Sequence, residues 1–430
     1  MKADRRSDRN LRWRKLDNTA KLFPVLANKH RTNVYRVAVV LKEDVDGEIL
    51  KQALDEILPW FEAFHVRLRK GFFWYYFEDN KRPVTVEKED TYPCRYINPQ
   101  AGNRYLFRVT YYKKRINLEV FHAVTDGLGA FNFLKELTYC YLDRIHGRTR
   151  KQTGQGVPSE ECLYQIEDSY VKNYSALAAK SYSTIKAFQV KADMLPMGAM
   201  NVIHGYVNRE DFKKICIEKN ASTTQILAAL LLYTIYQEYW KSSRKKGTIA
   251  LNLPVNLRNI FESETTMNFF AVTNIQFTPG GVEPEFDEIL ASVKKQMEEK
   301  ITKERMEEII SYNVGYEKKL VRFVPLFIKE LGTKAIYSRS EKSYTMTLSN
   351  LGKIEVLPEY AKEIESFHAI MGVGKSQTLK CTICTYGQDM VITFASVFEE
   401  TYIPKGFFRA IRKMGARIQI LSNGVNNETV

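Results

Sequence analysis

Residues 121–130 read FHAVTDGLGA, a histidine and an aspartate four positions apart with two glycines close behind. In the preceding stretch RINLEVF (115–121), Ile116, Leu118 and Val120 share one face of a strand, while Arg115, Asn117, Glu119 and Phe121 share the other. His122 continues the apolar face and is expected to point inward. Beyond it Phe131, Leu134, Leu137 and Tyr141 recur near helical spacing, with Thr125 or Asp126 where an N-cap belongs. The stretch reads as a strand ending at His122, a tight turn, and a helix opening at Asp126.

Three readings compete for it. His122 is a core histidine beside an ordinary cap, or one of a pair of metal ligands, or a general base. Two ligands are too few for a metal, and no neighbouring His or Cys supplies a third. A histidine titrates near neutrality, so an inward ring can take a proton from an attacking hydroxyl, amine or thiol. Gly127 and Gly129 allow a ligand or another strand to approach the backbone closely. Such a base needs its ring held in one orientation, and Asp126 could serve by anchoring the turn.

Outward from this centre, strand and helix patterns alternate. NVYRVAVVL (33–41) reads as a strand, and DGEILKQALDEILPWFEAF (46–64) as an amphipathic helix opening at Asp46 and Gly47. HVRLRKGFFWYYFEDN (65–80) reads as a hairpin turning at Lys70–Gly71, its aromatic run expected to be packed on both faces. Later come the strand NVIHGYV (201–207), a helix over 222–240 capped by Ser222 or Thr223, and the inner strand GTIALNLPVNLR (247–258). Residues from Glu285 to about Leu331 read as mostly helical. SYTMTLSNLG (343–352), TLKCTICTYG (378–387) and DMVITFASV (389–397) read as strands, followed by an amphipathic helix from Pro404. GRTRKQTGQGVPS (147–159) is the best linker candidate. The expectation is a mixed α/β chain of two lobes, divided as 1–185 and 186–430.

With 430 residues the chain is long enough for two such lobes. Its longest apolar run, Ile226–Tyr236, falls short of the ~20 residues that cross a bilayer. The start, MKADRRSDRNLRWRK, is polar and basic, which predicts no secretory signal. Six cysteines in so long a chain are no disulfide framework and suit a reducing cytosol. A net charge of +14 favours acidic partners. Its clusters (Arg5, Arg6, Arg12, Arg14 and Lys15; Arg148, Arg150 and Lys151; Arg244, Lys245 and Lys246) sit on no recognisable nucleic-acid module.

Two motifs mislead. MGVGKSQ (371–377) resembles a phosphate loop, but Ala369 stands where the first glycine belongs, and a strand follows instead of a helix. Cys381 and Cys384 form a CxxC inside a strand, where residues three apart face opposite ways and cannot share a metal.

HAVTDG (122–127) resembles the His-x-x-x-Asp-Gly signature of the CoA-dependent acyltransferase superfamily, which includes chloramphenicol acetyltransferase, alcohol O-acetyltransferases and condensation domains. The early hairpin, LPVNLR (253–258), MNFFAVTN (267–274) and LSNLG (348–352) resemble landmarks of its alcohol acetyltransferase-like branch, in the expected order and over most of the chain. The late Asp-Phe-Gly-Trp-Gly motif of the plant enzymes is absent, as is the condensation domains' double histidine, since Phe121 precedes His122.

The resemblance implies two chloramphenicol-acetyltransferase-like lobes meeting along a channel. It makes His122 the general base, Asp126 a structural partner of Arg258, and Gly127 a space for the acyl or pantetheine end. Ser349, Asn350 and Asn268 become candidate contacts to substrate or oxyanion. It implies acyl transfer, with acetyl the expected group, from a CoA cosubstrate to an alcohol, without bound cofactor or metal. The expected protein is a cytoplasmic monomer that does not bind nucleic acid, with peripheral membrane contact or a lipid acceptor as further expectations. An amine acceptor or carrier-protein donor, and a non-catalytic binding protein of the same fold, are the alternatives.

Overall fold

The chain is described by a computed structural model over residues 12–148, 166–176, 185–244, 246–316 and 323–424. The linker candidate lies outside the described residues from 149 onward, as do Arg5, Arg6, Arg150, Lys151 and Lys245. The first half forms β1 (Trp13–Lys15), α1 (Leu22–Leu26), β2 (Val34–Leu41), α2 (Gly47–Ile57), β3 (Val66–Lys70) and β4 (Tyr75–Asp79). It continues with β5 (Val86–Lys88), β6 (Phe107–Tyr112), β7 (Arg115–Phe121), α3 (Gly127–Ile145) and the short α4 (Ser169–Lys172). The second half opens with β8 (Asn201–Asn208), α5 (Arg209–Glu218), α6 (Thr223–Ile235), β9 (Ile249–Asn256), α7 (Arg258–Phe261) and β10 (Phe270–Phe277). Then come α8 (Phe286–Lys300), α9 (Lys303–Tyr316), α10 (Leu326–Ser340), β11 (Met346–Lys353), α11 (Pro358–Ala361) and β12 (Ile364–Met371). The chain ends in β13 (Leu379–Tyr386), β14 (Asp389–Ser396), α12 (Tyr402–Lys413) and β15 (Ile418–Ser422).

Apolar alternation explains the first lobe. Val37 and Val39 of β2 and Ile116, Leu118 and Val120 of β7 are buried in one cluster with Leu50, Leu54 and Ile57 of α2 and Leu134 and Leu137 of α3. Asp46 caps α2 by accepting the amides of Glu48 and Ile49. In the second lobe α6 is apolar all round, and it is correspondingly buried among α8, α12 and the strands behind it. A reciprocal capping box of Ser222 and Gln225 starts it.

The sheets interlock. A mixed seven-stranded sheet runs β10-β9-β11-β13-β14-β8-β15. The five-stranded sheet runs β12-β2-β7-β6-β5, so its edge comes from the far end of the chain: β12 pairs antiparallel with β2, Phe367 opposite Val39. Cys381 and Cys384 fall on opposite sides of β13, the first in the second lobe's core and the second in the first lobe's. The whole shows the mixed α/β, two-lobed architecture expected.

The hairpin is a correction. β3 and β4 form it, and Phe77 is buried, but Phe72 and Phe73 at its turn are 70% and 41% exposed. Their place in the turn takes them off the pleat, so they pack on neither face. Helix also runs on past Leu331 to Ser340.

Where the two lobes meet, His204 of β8 stacks on His368 of β12 at 4.3 Å between ring centroids. His204 Nδ1 lies 2.8 Å from Thr393 Oγ1, and His368 Nε2 lies 2.6 Å from the Tyr206 hydroxyl. Nearby a buried ionic network lies on the polar face of β7: Glu119 receives Arg36 at 2.7 Å and Arg108 at 3.0 Å, and Glu89 pairs with Arg36 and Arg115.

Burial, then the charges of Arg115 and Arg36, lowers His204 to about 3; burial, then His204 and Arg115, takes His368 well below the usual histidine value. Protons therefore bind the unfolded chain first, so stability present above pH ~6.5 is lost as pH falls below it, by about 1.4 kcal/mol per pH unit per site. Urea unfolding of the wild type and of His204→Phe between pH 7.5 and 5.0 isolates this contribution, and the variant's loss of stability with acid should be smaller by one proton's worth. An unchanged slope would contradict the assignment.

Candidate active site

His122 stands one residue past β7, where its amide donates to Asn33 O at 2.9 Å and so extends the ladder with β2. Its ring is fixed on several sides. Phe23 of α1 stacks on it at 4.6 Å, Tyr35 lies tilted at 4.8 Å and Phe270 at 5.6 Å. Its Nδ1 is 3.1 Å from Asn268 Oδ1. The Asn268 amide nitrogen donates to His122 O at 3.1 Å and to Asp17 Oδ2 at 3.0 Å.

Those contacts determine the tautomer. Both acceptors of the Asn268 nitrogen are oxygens, so its own oxygen must face the imidazole. An oxygen beside Nδ1 needs a proton on Nδ1, which leaves the Nε2 lone pair free. Burial pulls the His122 pKa below the ordinary value, partly offset by Asp126 and the Asn268 hydrogen bond. The ring is thus neutral at pH 7, as a base must be. Asp17, also receiving the Ala20 amide at 2.7 Å, is pushed up by burial to about 7 against its two hydrogen bonds.

Asp126 caps α3 by accepting the Gly129 amide at 3.3 Å. Its carboxylate is gripped bidentately by Arg258, at 2.8 Å from Nη1 and 3.1 Å from Nη2, and accepts the Phe269 amide at 3.0 Å. The guanidinium donates further to Thr265 O at 2.8 Å and Met267 O at 2.6 Å. Thr125 Oγ1 donates to Thr266 O at 2.5 Å. Segment 265–269 of the second half is thereby laced to turn 122–126 of the first, and Asn268 sits in the middle of that lacing. The Tyr35 hydroxyl donates to Thr125 O and Asp126 O from below.

The two glycines differ. A Cβ on Gly127 would meet Leu351 Cδ2 at 2.6 Å, the movable end of a side chain from β11. A Cβ on Gly129 would meet Thr125 Oγ1 at 2.0 Å and Thr266 O, a backbone atom, at 2.6 Å. At Gly129 the two halves come too close for any side chain.

The remaining candidates separate. Asn268 commits its amide to His122 and Asp17, a different place from the substrate or oxyanion contact expected of it. Asn350 donates to Thr224 Oγ1 at 2.9 Å and accepts the Gly352 amide at 2.9 Å, so its amide is taken up at the start of α6. Ser349 points the other way along β11, away from the buried Leu348, opposite Thr382 in register. Among the described residues no His, Cys, Asp or Glu group of three is placed to hold a metal. Sequence reasoning missed Asp17, Phe23 and Tyr35. Asp17 lies in a polar opening stretch with no pattern to mark it, and Tyr35 reads simply as the apolar face of β2.

No family profile and no curated protein matches the sequence. Solved structures do. The starter condensation domain of rhizomide synthetase, in complex with C8-CoA, matches with TM-score 0.62 and 11% identity over 94% of each chain. Polyketide synthase associated protein 5 from Mycobacterium tuberculosis matches at 0.58 and 13%, over 93% of this chain and 96% of that one. A trichothecene 15-O-acetyltransferase from Fusarium sporotrichioides matches at 0.58 and 9%, over 94% and 95%. The chain therefore has the two-lobed fold of CoA-dependent acyltransferases and condensation domains along nearly its whole length.

Breaking a buried ion pair on one side strands the other charge, at a cost of about 3–5 kcal/mol. Asp126→Ala and Arg258→Ala should each destabilise by that order in urea unfolding, with the double variant costing clearly less than the sum. Additive losses would contradict a direct pair. Gly129→Ala should cost about 1–3 kcal/mol, and Gly127→Ala distinctly less because Leu351 can rotate away.

Proposed function

We propose that this chain is an acyltransferase that moves an acyl group, acetyl in the first instance, from a CoA thioester to an alcohol, with His122 as general base. The observation that carries the reading is the buried imidazole whose Nδ1 lies 3.1 Å from Asn268 Oδ1, a contact that in the neutral ring leaves Nε2 as acceptor. The alcohol oxygen attacks the thioester carbonyl as Nε2 takes its proton. The tetrahedral intermediate collapses by breaking the C–S bond, and the CoA thiolate leaves with the proton returned by the imidazolium. Balance requires no metal and no redox partner. A positioned base contributes typically 10²–10⁴-fold.

Asn268 is a positioning residue in this scheme and Asp17 its support. Asp126 and Arg258 build the turn without touching substrate, and Gly127 leaves room beside it for the acyl or pantetheine end. Ser349 is the residue we assign to the developing oxyanion, because its side chain leaves the second lobe's core. Donor and acceptor meet at His122 from opposite mouths of a channel between the lobes, and the +14 charge draws the phosphates of CoA. We take the protein to be a cytoplasmic monomer with lobes 1–185 and 186–430, bridged by β12. The structural neighbours support the chemistry class, one being an O-acetyltransferase and another a domain bound to C8-CoA. The likeness to condensation domains favours a second reading, with an amine acceptor or a carrier-bound donor.

Acyl-CoAs should be screened against alcohols and amines by thiol release. His122→Ala should lose about 10²–10⁴-fold in kcat/KM, and equal turnover would remove the base assignment. Turnover only from a carrier-bound thioester, or only onto amines, would select the second reading.

The base must be neutral and its pKa is lowered, so the rate should be flat at pH 7 and fall only below pH ~6.5. Asn268→Asp places a carboxylate beside the ring and should move that acid limb to higher pH. Asn268→Ala should lower kcat without this upward shift. An acid limb that Asn268→Asp leaves in place would contradict the positioning role.

A further inference from the structure

Helix α10 carries an apolar stripe that covers nothing among the described residues. Leu326 and Lys329 face inward and are buried, whereas Phe327 is 61%, Ile328 48% and Leu331 68% exposed. Phe327 and Leu331 are four residues apart with Ile328 beside them, one continuous face of the helix. The exposed turn of the β3–β4 hairpin is fastened to the start of this helix. The Leu326 amide donates to Phe72 O at 2.9 Å, and Lys329 Nζ donates to Phe73 O at 2.9 Å while lying over the Trp74 ring. Two distant segments are thus held together so that Phe72, Phe73, Phe327, Ile328 and Leu331 form one outward patch. Scattered exposed apolar residues are ordinary, but a tethered group of this size marks an interaction surface.

The rim selects the partner. Lys334 and Arg339 of the same helix are exposed, and the only acid of α10, Glu330, is neutralised by Lys70 of the hairpin and accepts the Tyr75 hydroxyl, at 2.7 Å each. A second copy of the chain would bring this positive rim against itself, which disfavours self-association. Apolar side chains ringed by lysine and arginine suit an anionic lipid surface, where the rings enter the headgroup boundary and the cations meet phosphates. No helix among the described residues is long and apolar enough to cross a bilayer.

We propose that α10 and the β3–β4 turn form a docking surface for an anionic bilayer. α10 packs on α1, whose Phe23 stacks on His122, so docking sets the α1 side of the site against the membrane. That a membrane-dissolved alcohol then reaches His122 past α1 rests on the acyl-transfer reading; the docking itself does not.

The test is co-sedimentation of the full chain with vesicles of equal parts phosphatidylglycerol and phosphatidylcholine, and with phosphatidylcholine alone. The wild type should sediment with the first, less so at high salt, and weakly with the second. Phe327→Ser/Leu331→Ser should lower binding at least about tenfold, and Phe72→Ser on the separate hairpin should lower it too. Lys334→Glu/Arg339→Glu should weaken binding only to the anionic vesicles. Circular dichroism and melting confirm that each variant is folded, and thiol release with a water-soluble alcohol is read separately. A wild type that stays in the supernatant, or a Phe327→Ser/Leu331→Ser chain that binds as well as wild type, overturns the proposal. So does a wild-type dimer that the same variant dissociates, since the patch then belongs to a second copy.

Discussion

Asp126 and Arg258 meet as a buried bidentate pair, and the geometry of the site depends on them. Taking two charges out of water is costly, and their attraction repays it only when the remaining donors and acceptors are satisfied. Here they are. Arg258 also donates to Thr265 O and Met267 O, while Asp126 also accepts the amides of Gly129 and Phe269. The pair therefore does more than join two halves: it sets the path of residues 265–269, and Asn268 is carried on that path. Through Asn268 the same clamp sets which nitrogen of His122 bears the proton. Besides the field of its own charge, Asp126 acts on the imidazole as the builder of the scaffold that orients it.

A second constraint works from the opposite side of the sheet. β12 leaves the second half of the chain and pairs with β2, so the strand beside the site strand is itself braced by a distant segment. His204 and His368 stack where β12 meets β8, as neutral rings that acid would charge. The active-site turn is thus held between two joints, one ionic and one of neutral, aromatic character.

Much of this was legible in the residues. Alternation placed β2, β7, β9, β13 and β14, spacing and caps placed α2 and α6, and face counting correctly separated Cys381 from Cys384. Turning His122 to the apolar side followed from the same alternation. Other features were illegible for physical reasons. β12, ESFHAIM with its polar Ser366 and His368, is ordered by pairing with a strand more than three hundred residues earlier, which local pattern does not encode. Asp17 gains its meaning only from Asn268, a contact across most of the chain. The pairing of Asp126 with Arg258 came from family likeness, since no periodicity connects them. Phe72 and Phe73 were expected inside because aromatic strands usually are; a turn tied to α10 holds them out.

The central claim is that this lacing fixes His122 as a neutral ring protonated at Nδ1. Nitrogen-15 NMR of the histidine side chains reads this directly, with His122→Ala identifying the signals. At pH 7 the wild type should show a protonated Nδ1 and a bare Nε2 for His122, and Arg258→Met should blur that distinction into a mixture of tautomers. An imidazolium at pH 7, or a ring protonated at Nε2, would contradict the account.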